Sequence, residues 1–302
     1  MLWQRQMRLC RFQRFPLASS RFLSASSSKA NGDAEFALGV KYLLGKVQGE
    51  IGSSTSVHGA LVHWTSAAEK GHVRAQGALG NLYLQGHASI PRNEKVALQF
   101  LQTAADGGHN SSCHEIGKLF FHGSNEISQD LERALYYWTI AAANGHMAAS
   151  YDLGYMYAKG LVVTQDEAKA VQLYRQAAKQ NMPEAHHALG TACLHGRGVT
   201  QSTQQAVVHF RRAANAGNAL AQFDLGACYM LGRGIAQDYA QAAHFFFLAA
   251  ERGVVQAQLC LAQLFETGKG VLKDGTKALE YYELAATGGL KEAKKALNRL
   301  QK

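Results

Sequence analysis

The sequence predicts an all-α fold, a solenoid built from stacked helical hairpins, and three observations carry that expectation. One motif recurs at near-constant spacing along most of the 302 residues. Each copy places apolar residues four apart, so that they line one face of a helix. Glycine is abundant, at 30 residues, and proline scarce, at 3, the balance expected of short helices that glycine terminates and proline would break.

The repeat is clearest at Ala221, Leu225-Gly226, Tyr229 and Gly232-Arg233-Gly234, followed by Ala242, Phe246, Ala249-Ala250 and Gly253. The glycine after the Leu recurs as Gly39, Gly80, Gly117, Gly154, Gly190 and Gly226, with Ala262 in the last copy. A second glycine follows six positions later every time, from Gly45 to Gly268. Ala221, Leu225 and Tyr229 define the buried stripe of a first helix, and Gly232 ends it. Asp, Ser or Thr then opens a second helix, with capping-box spacing at Thr164 and Glu167 and at Ser202 and Gln205. A turn at Gly71, Gly108, Gly145, Gly217, Gly253 or Gly289 returns the chain, with Asn181 standing in once as the next most tolerant of a left-handed backbone. One hairpin cannot bury both its helices, so neighbours must stack.

The pattern A-x-x-x-L-G-x-x-Y-x-x-G-x-G-V followed by A-x-x-x-[WFY]-x-x-A-A-x-x-G resembles the Sel1-like repeat family, relatives of tetratricopeptide repeats. The resemblance covers residues 34–290 in about seven units, near 34–72, 75–109, 112–146, 149–182, 185–218, 221–254 and 257–290. It implies a right-handed superhelix, closed by a capping helix over 291–302. The first three units depart from the pattern in their loops, at 45–59, 86–95 and 123–130, and Cys193 replaces the usual aromatic in the fifth.

Residues 1–30 differ in kind. Arg5, Arg8, Arg11, Arg14 and Arg21 fall in a stretch without Asp or Glu and rich in serine toward its end, the composition of a mitochondrial transit peptide. Arg21-Phe22-Leu23-Ser24 resembles a processing site, with cleavage after Leu23. Removing those five arginines from the net charge of +9 leaves +4, scattered along the remainder. That supplies no phosphate-tracking stripe, so no nucleic-acid partner is expected. No apolar run is long enough for a transmembrane segment.

Reactive chemistry is not legible. Cys10, Cys113, Cys193, Cys228 and Cys260 form no CxxC and read as buried thiols. His72, His109 and His146 share one place after the inter-repeat glycine, and the grouping of His109, Cys113 and His114 lacks a second ligand pair to complete a metal site. His186-His187 with His195 is similarly incomplete. Gly268-Lys269-Gly270 lacks the strand and hydroxyl residue of a P-loop. The expectation is therefore a non-enzymatic protein-binding adaptor or assembly scaffold in the mitochondrial matrix or intermembrane space, with no cofactor. The alternatives are an organellar RNA-binding helical-repeat protein and a hydrolase-like β-lactam-binding relative. Tetratricopeptide geometry, carried over, points residues two before and two and five after each first-helix Leu toward the concave face. Those slots hold Asn81; His114, Lys118 and Phe121; Tyr151 and Tyr155; His187, Thr191 and Leu194; Phe223 and Met230; and Gln263 and Glu266. The middle of the set is aromatic and apolar, and its flanks are polar.

Overall fold

The protein is described here by a computed structural model covering residues 27–45, 56–87 and 90–300. The arginine-rich segment and its expected cleavage point at Leu23 lie outside them, as does Cys10. Among the described residues fifteen helices follow one another, with one isolated antiparallel bridge between His87 and Ile90 and no strand. Two compact units divide the chain, one ending at Gln76 and the other beginning at Gly77.

The first unit holds α1 (Ser27–Leu43), α2 (Val57–Glu69) and the start of α3 (Val73–Gln85). Helix α1 begins ahead of the expected repeat start at 34. Trp64 of α2 lies over α1, where its indole N–H donates to the Phe36 carbonyl at 3.3 Å.

The second unit continues α3 with α4 (Glu94–Asp106), α5 (Asn110–His122), α6 (Leu131–Ala143), α7 (Met147–Lys159) and α8 (Glu167–Ala178). It then runs through α9 (Pro183–His195), α10 (Thr203–Asn215), α11 (Ala219–Leu231), α12 (Tyr239–Ala250), α13 (Val255–Thr267), α14 (Gly275–Thr287) and α15 (Lys291–Leu300). Odd-numbered helices are the first helices of the hairpins and even-numbered ones the second, with α15 following the last hairpin.

Every second helix starts on a side-chain cap. Ser56, Asn93, Asp130, Asp166, Ser202, Asp238 and Asp274 each accept a hydrogen bond from the backbone N–H three residues on. Such a bond satisfies one of the helix's orphan donors and stabilises it by about 1 kcal/mol. Ser202 caps as expected, but Thr164 does not. The cap of α8 is Asp166, two residues nearer the helix, and Thr164 stays exposed in the loop.

The small residue beside each Leu anchor is explained by the hairpin crossing. A Cβ built on Gly226 would lie 2.8 Å from Phe246 Cδ1 and 3.3 Å from the Ala242 carbonyl. The same seat holds Phe210 over Gly190, Tyr174 over Gly154 and Trp138 over Gly117. Phe210 and Phe246 are completely buried.

The G-x-G loop has two separate causes. Gly232, at φ 67°, ends α11 in the left-handed conformation and donates its N–H to the Cys228 carbonyl. Gly234, also at positive φ, leaves no room for a side chain because a Cβ there would strike the Thr203 carbonyl, at the start of the preceding repeat's second helix. Gly198 and Gly270 meet Glu167 and Tyr239 in the same way. The fourth repeat lacks this second glycine and carries Val162 at φ 51°, an unfavourable conformation for a β-branched residue.

Three variants test this packing by chemical denaturation. Gly226→Ala is expected to lose about 1–3 kcal/mol by overpacking, and the exposed loop change Arg233→Ala to stay within about 0.5 kcal/mol. Val162→Gly is expected to gain about 1 kcal/mol, the left-handed strain of about 1–2 kcal/mol less the flexibility cost of glycine. Equal stability of the three proteins would refute the crossing and loop roles together.

Candidate functional site

The face that the first helices present is organised around buried anchors at Leu79, Ile116, Leu153, Leu189, Leu225 and Leu261. Two residues before the anchor, the side chain lies across the ring of its own second helix. Tyr151 sits 5.5 Å from Tyr174, His187 5.8 Å from Phe210 and Phe223 5.7 Å from Phe246, ring centroid to centroid. His114 stands 6.4 Å from Trp138 and is buried. These four are thus partly structural: the ring seated on each glycine is also a shelf for the residue above it.

Two of them also join neighbouring repeats. His114 Nε2 lies 2.7 Å from Asp152 Oδ2 on the next first helix, and His187 Nε2 lies 2.7 Å from Asp224 Oδ2. Burial alone would lower the pKa of His114, but hydrogen bonds to Asp152 and Glu115 outweigh it and raise the value. Glu115 is lowered in return, through His114 and through Lys118, whose ammonium lies 3.0 Å away. His146, with its centroid 4.7 Å from His114, is held lower by burial and by that neighbouring charge. Its Nδ1 accepts the Ala149 N–H at 3.2 Å and caps α7, a role that requires the neutral ring.

The slots after the anchor are more open. Lys118, Tyr155 and Gln263 are exposed, while Asn81 and Thr191 are half-buried. Phe121 stands 5.1 Å from Trp138 and 6.3 Å edge-on from Tyr155, bridging two repeats. Leu194 and Met230 pack at the margins of core clusters. Glu266 accepts the Tyr282 hydroxyl at 2.6 Å and pairs with Arg299 at 2.5 Å. Met230, Gln263 and Glu266 line an open groove of about 780 Å³, which Leu259, Cys260, Lys295 and Arg299 complete. None of those four was named as a site residue from the sequence: Lys295 and Arg299 because α15 reads there only as a cap, Cys260 because it reads as a buried thiol, and Leu259 although it fills the slot two before the Leu261 anchor.

The cysteines and histidines do not converge. Among the described residues no group of three or more His, Cys, Asp or Glu is placed to hold a metal ion. Cys113, Cys193 and Cys228 are buried, but Cys260 is only half-buried and lines the groove, correcting its reading as a core thiol. His109 turns to the Ser112 hydroxyl at 2.8 Å rather than toward Cys113. No helix among the described residues is long and apolar enough to cross a membrane.

The fifth repeat departs most. The second, third, sixth and seventh repeats stack two rings beside the crossing, Tyr83 on Phe100, Phe120 on Tyr137, Tyr229 on Phe245 and Phe265 on Tyr281, while the fourth has Tyr157 and Leu173 in those places. In the fifth, Cys193 and His209 occupy them, and His209 Nδ1 lies 3.1 Å from Nδ1 of the buried His186. His186 in turn replaces a glutamine that elsewhere reaches back to the preceding repeat. Gln222 donates to the Ala214 carbonyl at 3.2 Å and Gln258 to the Ala250 carbonyl at 3.4 Å. Burial pushes His209 down to about 4, assisted by His186, Arg212 and Arg175, and burial with Arg212 lowers His186 as well.

Folding favours the neutral form of both rings, whereas an unfolded chain binds protons below the ordinary histidine value of about 6.5. Their contribution to stability is present above that value and lost as pH falls from about 6.5 toward 4. Urea midpoints measured across this window are expected to fall less for the double variant His186→Gln, His209→Phe than for the natural protein. Parallel curves would rule out the pair as a source of acid sensitivity.

Comparison with known proteins agrees with this architecture. The Sel1 repeat model matches seven segments, at 32–72, 73–109, 110–146, 148–182, 183–218, 219–254 and 255–290. A Sel1 repeat protein from Oxalobacter formigenes is 32% identical with a TM-score of 0.72, over 91% of this chain and 78% of that one. A protective antigen of uropathogenic Escherichia coli with an SLR fold is 29% identical with a TM-score of 0.77, over 91% of this chain. The chain spans only 57% of that antigen's length. No curated protein matches in sequence. With its seven matched repeats and their hairpin geometry, the chain belongs to the Sel1 repeat family.

Proposed function

We propose that the protein is a non-enzymatic adaptor or assembly scaffold of mitochondria, holding a segment of a client protein along the face formed by its first helices. Sel1 repeat proteins generally act as scaffolds in protein–protein interaction and are typically non-catalytic. The observation that carries the reading here is the row of partly open side chains two and five residues past the buried anchors. Lys118, Phe121, Tyr155, Thr191, Met230 and Gln263 occupy equivalent positions in successive hairpins, with Tyr155 and Gln263 exposed. Repeated shallow contacts of this kind accumulate affinity for an extended or helical segment. Aromatic rings among them suit the centre of such an interface. The mitochondrial address rests on the sequence alone, on five arginines and no acid in residues 1–28.

Site-specific photocrosslinking in intact mitochondria separates this face from the opposite one. A benzophenone side chain at Tyr155, Thr191 or Gln263 is expected to capture the same client, and one at the exposed Val208 or Phe247 of the second helices to capture none. Capture from Val208 and Phe247 alone would move the binding face. A full-length chain with Met1 intact, recovered from the cytosol, would refute the compartment.

A further inference from the structure

The groove of about 780 Å³ lies beside a junction of first helices that has no polar clasp, as at α7 and α9, where Tyr151 and Ala188 pack in one apolar cluster, but here with α15 as a further wall. His114 to Asp152 and His187 to Asp224 use the position two before one anchor and the position one before the next. At the junction of α11 and α13 those same positions hold Phe223 and Cys260, which pack in one apolar cluster and form no polar clasp. The face is therefore left apolar here. Met230, Leu231, Leu259 and Leu264 supply its floor and edge, with Leu231 about half exposed at 51%. Helix α15 forms the remaining wall.

Five charged side chains line the groove, and two of them cancel. Glu266 is satisfied on both oxygens, by Tyr282 and by Arg299. That leaves Lys269 and Lys295 against Glu292, which stands in the first turn of α15. Lys269 rests 5.5 Å from the centre of the Tyr239 ring, and among the described residues neither lysine has a carboxylate within ion-pairing distance. Lys291 and Lys294 on α15 add to the same sign. An apolar floor with unpaired ammonium groups at its rim is complementary to an apolar side chain next to a carboxylate. The chain's own residues 1–28, which carry five arginines and no acid, have the wrong charge to fill it.

We propose that this groove docks an acidic segment of a partner protein, anchored by an aliphatic or aromatic side chain against Leu259 and Met230 and by Asp or Glu against Lys269 and Lys295. The inference rests on the scaffold reading and adds the chemistry of what that scaffold holds.

The test uses the full chain and random displayed peptides of about twelve residues, the length of a short linear segment. Selected peptides are then synthesised with a fluorescent label and titrated by anisotropy. The expected peptides combine a large apolar residue with Asp or Glu and slow the alkylation of Cys260 by iodoacetamide at about pH 9, the alkaline condition needed because burial pushes that thiol up to about 11 and only the thiolate reacts. Their affinity is expected to fall by about tenfold or more against the double variant Lys269→Glu, Lys295→Glu, and by less against the corresponding Gln pair. Circular dichroism of both variants checks that the fold is intact.

Peptides that bind this protein but lack acidic residues, leave Cys260 reactive or ignore both variants would overturn the groove proposal. If such peptides instead crosslink from Tyr155 and Thr191, the scaffold reading stands without it. Failure to enrich any peptide overturns the groove proposal, and absence of a client in the crosslinking experiment is the separate failure of the scaffold reading. Self-association in sedimentation that the charge reversal abolishes would assign the groove to a second copy of the chain and likewise overturn the proposal.

Discussion

In six of the seven hairpins the two helices meet where a large side chain of the second rests on a glycine in the first, with Ala262 in that place in the last, and the distances around the glycine crossings leave no slack. Phe246 over Gly226 and Tyr174 over Gly154 put ring atoms where even a methyl group would collide. Packing this tight is worth having because every ring atom then finds a partner, and interiors lose stability quickly when such contacts open. The crossing also fixes more than the core. Because Tyr151, His187 and Phe223 each lie on the ring so placed, the chemistry of the outward face is registered to the interior of the same hairpin. Substituting the ring would disturb the surface residue above it, so the face cannot be described as independent of the scaffold.

That coupling explains what was readable from the sequence. Glycines at the crossings and in the G-x-G loops are backbone requirements, and a backbone requirement repeats at the same place whatever surrounds it. The hairpins, their order and the left-handed Asn181 were therefore legible. Partner choice was not. The histidine of one repeat finds its carboxylate 38 or 37 residues away, a pairing that depends on how neighbouring hairpins stack and which rotamer the histidine takes. Placing His114 and His187 in slots that face the concave side gave no sign of these ties, since spacing along one helix carries no information about the helix beside it. Thr164 was misread for a related reason: three residues separate it from Glu167, but the backbone enters the helix at Asp166.

The fifth repeat shows how much variation the frame accepts. It keeps Gly190 beneath Phe210, and so keeps the crossing, while replacing the ring pair beside it with Cys193 and His209. The smaller thiol leaves His209 beside His186 instead of an aromatic neighbour. One neutral imidazole can donate its Nδ1–H to the Nδ1 of another, and burial favours the uncharged pair, assisted by Arg212 and Arg175. His186 itself stands where Gln222 and Gln258 hydrogen-bond back to the preceding second helix, and its Nε2 is left without a partner. The link from the fourth repeat to the fifth thus lacks the glutamine-to-carbonyl tie that Gln222 makes from the sixth repeat to the fifth and Gln258 from the seventh to the sixth.

A repeat array with identical crossings need not have identical faces, and the distribution of ties decides where this one is open. Where a His–Asp clasp spans two first helices, both side chains have satisfied each other and a third party would have to displace a charged hydrogen bond to gain contact. Such displacement is costly, because it leaves one member of the pair unmatched. Where Phe223 and Cys260 meet instead, no polar bond has to be broken, and apolar surface can be covered at no such cost. Covering it brings the transfer free energy of that surface, about 25 cal/mol per Å² before the costs of association are subtracted. The clasped junctions favour a fixed geometry, and an unclasped junction that also borders the groove walled by α15 favours a ligand, so the sequence differences among repeats that are silent in the fold determine where along it binding is least opposed.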